Sequence, residues 1–326
     1  MKDRSNTRPS LDELTRGIDQ SNRVMLGRAI TIIESKLKSD QELATHLIDR
    51  ILPKSGNSVR IGITGVPGVG KSTFIEAFGK VLTAKGKKVA VLSIDPSSSR
   101  SKGSILGDKT RMNALSMDDQ AFIRPSPSGT SLGGVAQKTR ETILLCEAAG
   151  YEVILVETVG VGQSEVAVRN MVDFFLLLML AGGGDELQGI KRGIMEMADA
   201  LVINKSDGTN LKAAKQAKKS YQNELHLFPP NESRWTVPVT LCSALEKSGI
   251  EEVWKIIEDY KNKTQHSGFF NRQRTHQSVM WLKELVKENL EFSFYADEEK
   301  RKQMQYLEEK VKAGELSVRH AISQLF

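Results

Sequence analysis

The stretch IGITGVPGVGKST, residues 61 to 73, sets four glycines and a lysine in the turn that follows an apolar run. Within it, Gly65-Val66-Pro67-Gly68-Val69-Gly70-Lys71-Ser72 fits the spacing G-x-x-x-x-G-K-[ST]. Glycines let successive backbone N–H groups converge on an anion with no Cβ in the way, and a following helix adds the positive end of its dipole. The run TFIEAFGKVLTAKG, which begins at Thr73, is amphipathic and closes on a glycine stop signal. Strand, loop and helix therefore come in the order a phosphate cradle needs, with Lys71 for the β- and γ-phosphates and the Ser72 hydroxyl for Mg²⁺. A purely structural glycine turn is the alternative, disfavoured by the full motif and its context. A dinucleotide fingerprint is disfavoured too, because the glycines are spaced GxxGxG rather than GxGxxG.

Outward from this loop, apolar runs alternate with amphipathic segments. VRIGITG, KVAVLSID, AFIRPS, VILVETVG, FFLLLMLAG, ALVINKSD and VPVTLCSA read as strands, with helical stretches over 71–85, 135–149, 187–198, 209–225 and 249–263. Continuous apolar strands separated by helices predict an α/β fold: a doubly wound, mostly parallel sheet covered on both faces. Helical periodicity over residues 11–52 places two or three helices before the first strand, and PKSGNS at 53–58 reads as a linker. After about residue 265 only helical spacing remains. The expected division is an N-terminal helical extension over 1–55, a nucleotide-binding domain over 56–264 and a C-terminal helical region over 265–326.

The purine is addressed by a second motif. Asn204-Lys205-Ser206-Asp207 ends an apolar strand and matches the NKxD pattern of GTP-binding proteins. An Asp carboxylate accepts from both N1–H and the 2-amino group of guanine, a donor pair that adenine lacks, and an unpaired buried acceptor rejects the wrong base. Asp207 is also a good helix N-cap, which is the plainer reading of it. Downstream, Cys242-Ser243-Ala244-Leu245 resembles the second base-contacting SA motif.

Acidic residues fall at the predicted carboxyl ends of strands, where they face the nucleotide crevice and can hold Mg²⁺ or its waters. Asp95 ends the second strand, Asp108 lies in GSILGDKTRM, and Glu157 begins ETVG, where GTPases usually carry DxxG. Gly160 in that motif would donate its N–H to the γ-phosphate. Asp95 before Pro-Ser-Ser reads equally as a turn starter. No residue is an evident general base, since Val161 stands where a Gln often follows and Gln163 lies two positions on. Slow intrinsic hydrolysis that depends on a partner or loop closure is the expectation. A second glycine-rich loop, GGGDELQGIK from Gly182 to Lys191, suits a switch that brings Lys191 into a charge network, or a flexible turn with a solvated lysine.

Composition limits the remaining classes. The 326 residues carry a net charge of +6, modest for the length and interleaved with acids at helical spacing, so nucleic acid is not implied. Two cysteines, Cys146 and Cys242, exclude a disulfide framework and fit a reducing, cytoplasmic setting. The run FFLLLMLAGGG is too short to span a bilayer, and no secretory leader is read at the start.

Taken together, GVPGVGKST, SIDPSS, GSILGDKTRM, FIRPSPSGTSLGG, ETVGVGQSE, GGGDELQGIKRG and INKSD resemble the ArgK/MeaB/MMAA family of P-loop GTPases, chaperones of adenosylcobalamin-dependent methylmalonyl-CoA mutase. The resemblance spans roughly residues 10–325. It implies a SIMIBI-type GTPase core and a homodimer held by the C-terminal helices. It implies a GTP cycle that gates cofactor loading and protects the mutase. It also implies that Asp95, Asp108 and Glu157 serve Mg²⁺ and switch chemistry, and that the 182–191 loop reports on the partner. On this reading GTP or GDP is held by Gly65 to Thr73, Gly160, Asn204, Lys205, Asp207, Ser243, Ala244 and Leu245, with catalytic roles for Lys71, Asp108, Glu157 and Lys191. A kinase or ATPase coupled to amino-acid (arginine/ornithine) transport is the alternative, opposed by the guanine motif. A nickel or cobalt metallochaperone is opposed by the absence of His-rich or Cys/His tracts.

Overall fold

The structure, a computed structural model, describes residues 8–94, 112–125, 132–158, 164–182 and 188–325. It forms two compact units, one running to Phe270 and the other from Asn271.

The first unit opens with three helices, α1 (Leu11–Asp19), α2 (Arg23–Glu34) and α3 (Lys38–Ile51). Ser10 and Glu13 form a reciprocal capping box at the start of α1, and the Asn22 side chain caps α2. The chain then alternates: β1 (Val59–Gly65), α4 (Lys71–Ala84), β2 (Val89–Ile94), the one-turn α5 (Asn113–Ser116), β3 (Ala121–Arg124), α6 (Leu132–Ala148), β4 (Val153–Thr158), α7 (Ser164–Arg169) and β5 (Phe174–Leu180). It continues through α8 (Gln188–Met197), β6 (Ala200–Asn204), α9 (Leu211–Leu225), β7 (Val239–Leu241) and α10 (Ile250–His266). All seven expected strands are present, in the order β3-β2-β4-β1-β5-β6-β7, and every pairing is parallel. The last strand is shorter than the run VPVTLCSA suggests, because from Cys242 the backbone turns to meet the loop after β6.

Parallel strands buried on both faces carry near-continuous apolar runs, and β5, FFLLLML, is buried along nearly its whole length. Alternation along each strand divides these side chains between two cores. Val59, Ile61, Ile63, Leu155, Phe174 and Leu176 pack under Phe74 and Phe78 of α4 and Trp254 and Tyr260 of α10. On the other face Ile154, Val156 and Phe175 meet Leu14, Ile30 and Leu47 of the first three helices, with Ile143 and Val168. A third cluster joins Leu177, Leu201 and Ile203 to Ala214 and Tyr221 of α9.

A buried charge cluster fixes where the chain enters β1. Glu147 of α6 accepts from Arg60 Nε and Nη2 at 2.8 Å each, from Ser58 Oγ at 2.7 Å and from the Gly56 N–H at 2.8 Å. The second unit consists of α11 (Phe269–Ala296) from Asn271 on, α12 (Glu298–Lys312), whose N-terminus Asp297 caps, and α13 (Val318–Leu325). Within it Leu307 and Ala321 are buried.

Removing one partner of a buried ion pair leaves the other charge without compensation, so Glu147→Ala is expected to cost about 3–5 kcal/mol of folding stability. Glu152, which pairs with Lys87 at 2.7 Å on the surface, is the contrast: Glu152→Ala is expected to cost less than about 1 kcal/mol. Urea unfolding of the two variants measures the difference.

Candidate functional site

The loop between β1 and α4 sits at the carboxyl edge of the central strand. Gly65 is forced by close approach, since a Cβ there would lie 2.5 Å from the Leu178 carbonyl oxygen of β5. Gly70 occupies the N-cap position of α4 with φ of +91°, a left-handed conformation that glycine adopts without strain, and no side chain caps the helix. The first N–H groups of α4 are thus not claimed by a capping side chain, the arrangement that suits an anion. Val69 is buried beneath the loop and Val66 packs against the core, while Pro67, Gly68 and Thr73 are exposed.

Lys71 donates from Nζ to the Gly65 carbonyl at 2.8 Å, so the ammonium lies over the end of β1. Burial pushes its pKa down, and the carboxylates of Glu157 and Glu165 oppose that shift. Ser72 Oγ is 3.5 Å from Glu157 Oε1, and Glu157 is buried at the end of β4. A hydroxyl beside a carboxylate is a hard oxygen donor set, which fits Mg²⁺ rather than a soft metal. No cluster of three or more His, Cys, Asp or Glu side chains arranged for a metal occurs among the described residues. A magnesium site completed by nucleotide phosphates and waters does not require one. Asp95, Asp108 and Gly160 lie outside the described residues, as does the side chain of Lys191.

The second motif meets the loop through one side chain. Asn204 is buried at the end of β6; its Nδ2 donates to the Val69 carbonyl at 2.8 Å, and its Oδ1 accepts from the Ala244 N–H at 3.1 Å and from Cys242 Sγ at 3.4 Å. Asp207 precedes a short 3₁₀ turn but makes no capping hydrogen bond. Its carboxylate instead accepts from Ser243 Oγ, and Ser243 Oγ in turn accepts from the Glu246 N–H at 3.1 Å. A carboxylate offers about four lone-pair positions, so Ser243 orients it and leaves capacity for a base. Ser206 N–H donates to the Cys242 carbonyl at 3.0 Å, drawing the two loops together. Lys205 is exposed with φ of +57°, Ala244 is buried and Leu245 is exposed.

These contacts bring the phosphate loop, Glu157, the 204–207 loop and the 242–245 loop to one edge of the sheet. Residue patterns had pointed to each of them separately. They gave no sign of Glu165, which is 3% exposed in the first turn of α7. They also missed the buried hydroxyl pair Thr158 Oγ1 to Thr64 Oγ1, 2.8 Å, which ties β4 to β1 just below the loop. Glu165 stands in a six-residue helix too short for a periodic signal.

Comparison with known proteins bears directly on this site. The sequence model of the family described as "Methylmalonyl Co-A mutase-associated GTPase MeaB" matches residues 26–299. The chain belongs to the MeaB family. It is 48% identical over 316 residues to the GTPase ArgK of Escherichia coli, covering 97% of this chain and 96% of that one. It is 44% identical to the mouse protein named "Methylmalonic aciduria type A homolog, mitochondrial", covering 94% of this chain and 76% of that one. Among solved structures, one titled "LAO/AO transport system kinase" superposes with a TM-score of 0.78 at 42% identity, covering 97% of this chain and 96% of that one. This MeaB-family chain is therefore a GTPase with a P-loop fold that binds guanine nucleotide. No helix among its described residues is long and apolar enough to cross a membrane.

Because the Asn204 amide joins the two loops, Asn204→Ala is expected to lower GDP affinity at least tenfold, about 1.4 kcal/mol, even though the chain still folds. Calorimetric titration with GDP, beside circular dichroism of the same sample, checks it.

Proposed function

We propose that this GTPase couples GTP turnover to the care of an adenosylcobalamin-dependent acyl-CoA mutase, with methylmalonyl-CoA mutase as the client, gating cofactor loading and protecting the mutase. The observation that supports the nucleotide half is the Asn204 bridge, which ties the strand end three residues before Asp207 to the loop that carries Lys71. The family description and the name of the mouse relative support the client half.

In this reading the N–H groups from Gly65 to Thr73 and the Lys71 ammonium take the phosphates, and Asp207 reads the purine with Ser243, Ala244, Leu245 and Lys205 around it. Ser72 would hold Mg²⁺ with Glu157 beside it, and Asp95 and Asp108 are the further acidic candidates; the metal would supply charge neutralisation of the phosphates. Gly160 and Lys191 are assigned to sensing the γ-phosphate and to the 182–191 loop. No described side chain stands out as a base for the attacking water, so hydrolysis is slow alone and accelerated by the partner.

The mutase is the partner, and a second copy of this chain joins through the C-terminal helices, where Leu282, Val286, Leu290 and Phe292 are exposed. A cytoplasmic setting accords with the two free, buried thiols of Cys146 and Cys242. The transport-kinase title of the similar structure raises the second reading, an ATP-dependent kinase. The NKSD loop argues against it, because Asp207 complements guanine.

Four measurements bear on this proposal. GTP is expected to bind far more tightly than ATP, and the reverse order would favour the kinase. Asp207→Asn is expected to lower GTP affinity at least a hundredfold and to raise affinity for xanthosine triphosphate, whose C2 carbonyl accepts from an amide, as competition titrations would show. Light scattering should give a dimeric mass for the full chain and a monomeric one after truncation at residue 265. Co-purification with a mutase tests the client.

A further inference from the structure

Where β1 and β4 reach the crevice, a side-chain contact takes over from their backbone pairing. The two strands are paired in parallel from Val59 with Val153 to Ile63 with Glu157. One residue further on, the Thr158 hydroxyl donates to Thr64 Oγ1 at 2.8 Å, and both threonines are fully buried. At this level β1 follows β5, with which it stays paired as far as Gly65 and Leu178, while Thr158 is paired on its other side with Ile94 of β2. The hydroxyl pair thus carries the contact of β1 with β4 past the last backbone pairing. Its neighbours along the chain belong to the site. Thr64 precedes Gly65, whose carbonyl accepts from Lys71 Nζ at 2.8 Å, and Thr158 follows Glu157, whose Oε1 is 3.5 Å from Ser72 Oγ. Ile63 and Leu155 pack in the core under α4, whereas Val156 packs in the other core, and a Cβ on Gly62 would meet Val168 and Phe175 of that second core at 2.8 Å. Strand alternation therefore puts Glu157 on the α4 side and both threonine hydroxyls behind it, on the opposite face.

We propose that Thr158 and Thr64 are positioning residues for GTP hydrolysis: their hydroxyl clasp holds the end of β4 against β1, so that Glu157 and the ETVG run it begins keep their place beside the phosphate loop. Parting the pair would leave buried hydroxyls unsatisfied, a cost that favours the closed clasp. The phosphate loop keeps its own shape without it, because Gly65 is packed on the Leu178 carbonyl of β5 and the loop runs directly into α4. The clasp governs the β4 side of the crevice, so its loss shows in turnover more than in nucleotide binding.

The proposal rests on the reading of Glu157 and Gly160 as the γ-phosphate side of the crevice, and the experiment separates the two. The kcat for GTP and the affinity for GDP are measured on the full chain for wild type, Thr158→Val, Thr158→Ser, Thr64→Val, the double valine variant and Glu157→Gln. Valine keeps the shape and removes the hydroxyl. The kcat of Thr158→Val is expected to fall at least fivefold with GDP affinity within threefold of wild type, and Thr158→Ser, which keeps the hydroxyl, to retain at least half of the wild-type kcat. Because the two hydroxyls form one bond, the double variant is expected to be no more than twofold slower than Thr158→Val. Thr64→Val and Thr64→Ser carry the same comparison if Thr158→Val does not fold. A smaller fall in kcat, a larger loss of GDP affinity, a serine variant below half the wild-type kcat or a double variant slower than stated overturns the proposal. Undiminished turnover by Glu157→Gln would remove the reading of that edge itself, whereas loss of turnover there with an unchanged kcat in the threonine variants would remove only the clasp.

Discussion

Asn204 commits both halves of its amide inside the protein, the NH₂ to the carbonyl of Val69 and the oxygen to the backbone of Ala244. Those two loops are 135 and 40 residues away in sequence. A nucleotide has its base and phosphates at opposite ends of a semi-rigid ribose, so a protein that binds it must fix two distant loops at a set spacing. Asn204 does this at the closed end of the crevice, where it is 1% exposed and the hydrogen bonds do not compete with water.

The bridge works because the sheet beneath it is stiff. Every strand pairing is parallel, so the carboxyl ends of β1, β4, β6 and the residues after β7 arrive at the same edge. Two different elements meet at that edge, where Glu157 at the end of β4 lies 3.5 Å from Ser72 of α4 and Lys71 Nζ rests on the Gly65 carbonyl. At the other end of the sheet, the Glu147 and Arg60 cluster holds the entry to β1. One end of the central strand is thereby anchored by a satisfied ion pair, and the other runs into the glycine-rich loop.

Much of this was legible in the residue pattern. Near-continuous apolar runs gave all seven strands, because a strand covered on both faces buries most of its side chains whichever way they point. The phosphate loop was legible because its glycines are dictated locally, by a left-handed N-cap at Gly70 and by the contact of Gly65 with β5. The end of β7 was not, since Val237 to Ala244 reads as one apolar run, and only the contacts of Cys242 and Ala244 with the neighbouring loop bend it away. Asp207 was readable either as a helix cap or as a base acceptor. Its capping hydrogen bond is absent, and its carboxylate is turned toward Ser243 by a contact across 36 residues that no local rule contains.

The sequence by itself determined the order of strands and helices, the glycine-rich loop after β1 and the NKxD pattern at the end of β6, because each depends on backbone conformation or on side-chain chemistry within a few residues. Tertiary structure alone decided which strands are neighbours, what Asn204 holds together and that Glu157 meets Ser72. Those depend on the packing of two layers over a sheet, where residues distant in the chain meet at a few ångströms and burial strengthens every charge among them.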